Sequence, residues 1–424
     1  MNKNAFSRAN LRLSDISSRF SNRTYFLMLV ISFVIDIVIY HKKFFTINVD
    51  RWHTQLLTMD YSHGFIRRAL LGQFTTLLKN LFNTDYISAI ILVQTIGIVL
   101  FGLSMLLFFY SVLKDNTDKS FCFIVLLYIS LHHWGFELNL FGLLDTYLMV
   151  ITLLMVYLII KGKGLFLIPI LAGICILIHE AYPLMFFGVI VAVLIYRFCY
   201  AEDKAAKRRY LITFLITGMV VSVLFFLSYF VFARIKDPDV DAILASCREK
   251  LGSRIQDGNI MTLWIDPRPM TVDQQNIDLM WSNGKPTYTF FLYLLPAVLN
   301  LVVCSPLLML VVLFWKEIIK KETVKFRKIL LFLCSISVFL ILPLIITHTD
   351  QGRWFYDIVF FEIIVIGGIC LINSNNERET LSKLTKIGIL KILMILFYSV
   401  FYFQLVTGQV IFVTVPYILL LSKF

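Results

Sequence analysis

Unbroken apolar runs of about 20 residues follow one another along this chain, separated by short polar stretches, and they constrain its fold most. About 20 helical residues span the roughly 30 Å hydrocarbon core of a bilayer. Inside hydrocarbon every backbone N–H and C=O needs an internal partner, so helices are the expected spanning elements. The alternating pattern of membrane β-barrel strands is absent from these runs. Composition agrees: of 424 residues 59% are hydrophobic, only 16% are charged, and 39 are Phe. A soluble fold of this length would leave much of that surface in water. The expected class is all-α, a polytopic integral membrane protein with about 11–12 transmembrane helices in one domain over residues 1–424. No small-residue cleavage site follows the first apolar run, so no removable signal peptide is expected.

A formal charge of +12 raises the question of nucleic acid. The excess lies in short loops between apolar runs, where Lys and Arg set membrane orientation. Nucleic acid is therefore excluded as a partner, and the lipid bilayer is the expected one. Lys3, Arg8, Arg12, Arg19 and Arg23 against the single acid Asp15 place the N-terminus in the cytoplasm. A first span over about Tyr25–Phe44 then leads to an outer loop over residues 45–85. A second large outer loop covers residues 234–288. One or two spans close the chain, with Gln404–Gln409 as a tight turn or a polar kink. Phe-, Ile- and Lys-rich usage points to an AT-rich bacterial gene, hence to a multi-pass protein of the bacterial cytoplasmic (inner) membrane. No internal repeat is visible. Of the seven Cys, Cys247 stands alone in the long loop, so no disulfide framework can be drawn.

With this threading, the polar clusters emerge on the outer, periplasmic face. Phe65–Phe82 reads FIRRALLGQFTTLLKNLF, with apolar residues at three- and four-residue spacing interrupted by Arg67, Arg68 and Lys79. That pattern predicts an interfacial helix, although an ordinary re-entry helix with snorkelling basic residues has the same signature. Just ahead lies Asp60 with Tyr61, Ser62, His63 and Gly64. A carboxylate beside two arginines at the water–lipid boundary suits an anionic, partly lipidic substrate. Asp60 and His63 are the candidate catalytic residues, Asp60 taking the proton of an attacking hydroxyl. Arg67 and Arg68, with Arg353 further on, are candidates for holding phosphate. Asp50 competes with Asp60 for the acidic role.

An inside-to-outside first span, an acidic first outer loop, a membrane-parallel helix and many further spans together resemble the C-type (GT-C) membrane glycosyltransferases. The resemblance covers the architecture of most of the chain, and at residue level it rests on the acid at Asp60. It implies a catalytic carboxylate in that loop and a polyprenyl-phosphate-linked sugar donor. Members with a paired acidic motif carry two adjacent carboxylates, whereas Asp60 is followed by Tyr61.

Three further clusters are candidates for binding sugar or acceptor. His132, His133 and Glu137, followed by Asp145, combine rings that stack on sugar C–H faces with carboxylates that accept hydroxyl hydrogen bonds. An aromatic belt with a helix-capping Asp145 explains the same residues. His179 and Glu180 end an otherwise apolar run before Pro183, where ionisable groups are functional or paired with each other. Asp350 and Trp354 flank Gly352 and Arg353 on an expected short outer turn, where an Asp350–Arg353 salt bridge is the simpler account. No CxxC or HExxH spacing marks a metal site, and Mg or Mn stays open as a cofactor.

Two lipid-linked glycan activities fit. The first moves one sugar from an undecaprenyl-phosphate-type donor to a glycan or lipid-linked acceptor. The second, an O-antigen or capsule polymerase, takes diphosphate-linked repeat units and would place essential Arg in the 234–288 loop. A flippase or transporter is a third reading, carried by intramembrane carboxylates such as Asp36.

Overall fold

The computed structural model describes residues 21–45, 56–115, 144–228, 240–252, 278, 281–347, 351–372, 376–385, 403–406 and 409–412. Within them the protein is mostly helical. The early helices are α1 (Asn22–Phe45), α2 (Leu70–Phe82), α3 (Tyr86–Asp115), α4 (Asp145–Lys161), α5 (Leu167–Ile178), α6 (Tyr182–Met185), α7 (Phe187–Tyr200) and α8 (Lys204–Phe226). Then come α9 (Val240–Leu251), a two-residue hairpin of β1 (Trp281–Ser282) and β2 (Lys285–Pro286), and α10 (Tyr288–Lys321). Helices α11 (Lys325–Ser337), α12 (Leu342–Thr347), α13 (Gln351–Ile372) and α14 (Asn376–Thr385) follow, and strands β3 (Phe403–Val406) and β4 (Gln409–Phe412) come last.

Among the described residues three helices are long and apolar enough to cross a membrane: Tyr86–Val112, Lys204–Phe226 and Lys325–Ile345. Asn22–Val34, Leu167–Ile178 and Phe187–Tyr200 are shorter apolar helices. The apolar run near Phe121–Leu131 lies outside the described residues. The chain's end differs from expectation. Around Gln404–Gln409, expected as a tight turn or a polar kink in an all-α chain, strands β3 and β4 pair antiparallel with Phe403 opposite Phe412 and Val406 opposite Gln409. Aromatic and β-branched residues suit such a ladder, which satisfies the backbone without a helix.

Helix α13 is the hub. From Asp357 to Cys370 it is buried on every side, and it packs against α10, α7 and α3. Helix α7 lies between α11, α8 and α4, and Gly188 permits its approach, since a Cβ there would collide with the Ser337 carbonyl of α11. Helix α8 packs on α5 yet leaves Leu215, Met219 and Phe226 more than half exposed. Such a stripe needs an apolar environment of its own.

Polar contacts gather at both ends of α7. At its C-terminal end Tyr196 donates to Glu377 at 2.5 Å and Tyr200 to Glu322 at 3.1 Å. Arg327 lies 3.6 Å from Glu322, and the Lys321 ammonium donates to Thr380 at 2.6 Å. Before its N-terminal end lies the break at His179–Glu180, beside the first loop.

Candidate functional site

The loop leading into α2 is built around Asp60. Its carboxylate is 6% exposed and caps the short 3-10 turn Tyr61–His63. Oδ1 accepts the Ser62 amide at 3.1 Å and the Ser62 hydroxyl at 2.5 Å. Oδ2 accepts Thr76 Oγ1 of α2 at 3.0 Å and the Lys250 ammonium of α9 at 2.8 Å. Lys250 also donates to the Thr58 carbonyl at 2.9 Å, and the Thr58 hydroxyl points to buried Cys247 Sγ at 3.5 Å. Gly72 lets α2 pass against this loop, because any Cβ there would overlap the Met59 carbonyl. Burial disfavours the charged form of Asp60, but Lys250 and both Ser62 donors outweigh it and lower its pKa from 3.8 to about 2.

A second cluster ties this loop to the break after α5. Arg68 grips Glu180 with Nε at 3.0 and 2.9 Å from the two carboxylate oxygens and a terminal nitrogen at 2.6 Å. Arg67 approaches the same carboxylate at 3.9 Å. Glu180 is 2% exposed and sits on the turn between α5 and α6. Burial opposes its charge, yet the Arg68 guanidinium beside it holds the carboxyl well below the ordinary range. His179 Nδ1 accepts the Ala181 amide at 3.1 Å, so that nitrogen carries no proton to offer Glu180 at 3.7 Å. Arg68 adopts φ 64, a left-handed conformation rare for a side chain of this size.

This arrangement revises several expectations. The amphipathic helix expected from Phe65 begins at Leu70, because the left-handed turn at Arg68 precedes it. Arg67 and Arg68, expected on phosphate, are drawn to Glu180, expected on sugar. His63 is exposed, and it is Ser62 rather than His63 that bonds Asp60. Asp145 is buried in the first turn of α4, whose N-cap is Leu144, so it is not the capping residue. Gln351–Trp354 open α13 instead of forming a loop turn, and Trp354 is buried. Arg353 falls in that first helical turn. His132, His133, Glu137, Asp350 and the competing Asp50 lie outside the described residues.

Lys250, Thr76 and Ser62 were not singled out by sequence reasoning. Lys250 follows Cys247 on α9 by three residues, and nothing local to either segment links it to Asp60. Among the described residues no three His, Cys, Asp or Glu side chains gather as cation ligands. No protein-family model, curated protein or solved structure matches the chain.

Proposed function

We propose that this protein is a membrane-embedded glycosyltransferase of the bacterial inner membrane that works on the outer face. It would move a sugar from a polyprenyl-phosphate donor to a glycan or lipid-linked acceptor. One observation carries the reading: a buried carboxylate, Asp60, is held ionised where the first loop, amphipathic α2 and α9 of the long loop converge. The exposed apolar stripes on α3, α8 and α11 support embedding in lipid. The Arg- and Lys-bearing contacts at the far end of α7 support a cytoplasmic inner face.

Asp60 would orient the acceptor hydroxyl and take its proton. A carboxylate near pKa 2 is a weak base. Glycosyl transfer tolerates that, because cleavage of the bond to phosphate leads and the attacking hydroxyl turns strongly acidic as its new bond forms. The leaving phosphate needs cationic stabilisation rather than an acid. A second reading, a polymerase of diphosphate-linked units, would place essential Arg in the long loop, and it is a Lys of that loop, Lys250, that reaches Asp60.

The test incubates purified protein and Asp60→Asn with polyprenyl-linked donors and the host's acceptor, with products weighed by mass spectrometry. One added sugar, lost in the folded variant, supports the transferase. Ladders of repeats support the polymerase. Absence of any covalent product with every donor sinks both.

A further inference from the structure

We infer that Lys79 of α2 and Lys250 of α9 form a phosphate subsite around the Tyr86 ring, where the phosphate of a prenyl lipid is held next to Asp60. The ligand class rests on the transferase reading, whereas the cationic geometry stands apart from it.

Three elements converge there. Tyr86 is the first residue of α3, and the ammonium groups of Lys79 and Lys250 each stand within 5.5 Å of its ring centroid. The ring attracts each of them, but two like charges sharing one ring repel each other. An anion at the edge of the ring, reached by both flexible side chains, would offset that repulsion. Among the described residues Lys250 has one carboxylate neighbour, Asp60, at 2.8 Å. Lys79 has no carboxylate within 4 Å among the described residues. Asp85 is next to Tyr86 in sequence, yet its oxygens are turned to the Ile87 and Ser88 amides and the Ser88 hydroxyl at 2.9, 3.0 and 2.7 Å. Arg67 and Arg68 of the same loop lean on Glu180 instead. Among the described residues Lys79 is therefore the cation here without a carboxylate partner, and Lys250, paired with Asp60, stands beside the same ring.

The surroundings favour a lipid phosphate over free phosphate. Phe82 lies one helical turn beyond Lys79 on the same face, and Phe82 and Leu81 are 60% and 69% exposed. A phosphate head at Lys79 thus leaves its chain against apolar surface. Lys250 is the link to chemistry: its long stem lets one ammonium reach both Asp60 and a phosphate on the Tyr86 side.

The experiment measures binding of a labelled polyprenyl phosphate to the full chain in nanodiscs, with the matching prenyl alcohol and inorganic phosphate as separate competitors. Lys79→Gln and Lys250→Gln should each weaken binding about tenfold and flatten its salt dependence, leaving prenyl alcohol affinity unchanged. Lys79 has no ion pair to lose among the described residues, so Lys79→Gln is the decisive variant even if Lys250→Gln loosens the loop. Wild-type affinity in Lys79→Gln overturns the subsite. Inorganic phosphate competing as well as the lipid overturns the lipid assignment. Lysine-dependent binding with no sugar transfer would sink the transferase alone, and transfer with unchanged affinity in both variants would sink the subsite alone.

Discussion

Replacing Glu180 by alanine removes the carboxylate to which Arg68 donates at 3.0, 2.9 and 2.6 Å and which Arg67 approaches at 3.9 Å. The Glu180 side chain is 3% exposed and that of Arg68 13%, so water is a poor substitute partner. At an effective dielectric of about 20, unit charges about 4 Å apart attract by about 4 kcal/mol. Breaking a buried pair by deleting one member costs about 3–5 kcal/mol, because the survivor stays desolvated. Glu180→Ala should therefore lose about 3–5 kcal/mol, whereas Glu180→Met combined with Arg68→Met should recover most of that loss. The left-handed φ of Arg68 adds a check: Arg68→Gly should be about 1 kcal/mol less damaging than Arg68→Ala, since glycine adopts that conformation freely. The assay is equilibrium unfolding in mixed detergent micelles followed by circular dichroism, run as a double-mutant cycle. A Glu180→Ala protein within about 0.5 kcal/mol of wild type would refute the reasoning and mean that the pair is solvated.

Two further outcomes follow from the Asp60 cluster. The folded pKa of Asp60, about 2, lies below its ordinary 3.8. Its stabilising contribution is therefore complete above the unfolded value and is lost as pH falls through about 2. Lys250→Met should move that loss to higher pH in acid-unfolding curves, and superimposable curves for the two proteins would count against the ion pair. Thr58 Oγ1 lies 3.5 Å from Cys247 Sγ, so Thr58→Cys should crosslink to Cys247 under mild oxidant. Peptide mapping by mass spectrometry reads the bond, and its absence would mean that α9 does not rest on the first loop.

Hydropathy and charge suffice to place much of this architecture. The apolar runs that become α3, α8 and α10 are legible because apolar length and flanking charge are local properties. Asp60 and Glu180 stand out for the same reason, as carboxylates beside strongly apolar stretches. The amphipathic spacing that becomes α2 is legible too, except for its start, since no periodicity foretells a left-handed Arg68. Which groups meet is another matter. Arg68 finds Glu180 across 112 residues, and Lys250 finds Asp60 across 190. From sequence, both arginines look available for phosphate and Lys250 looks like a solvated charge of a long loop. Tertiary packing brings Arg68 of the first loop to Glu180 after α5, and α9 brings Lys250 to Asp60. A carboxylate removed from water takes the nearest donors that the fold delivers, and which donors those are depends on how distant helices stack, a relation carried by no single segment of the chain.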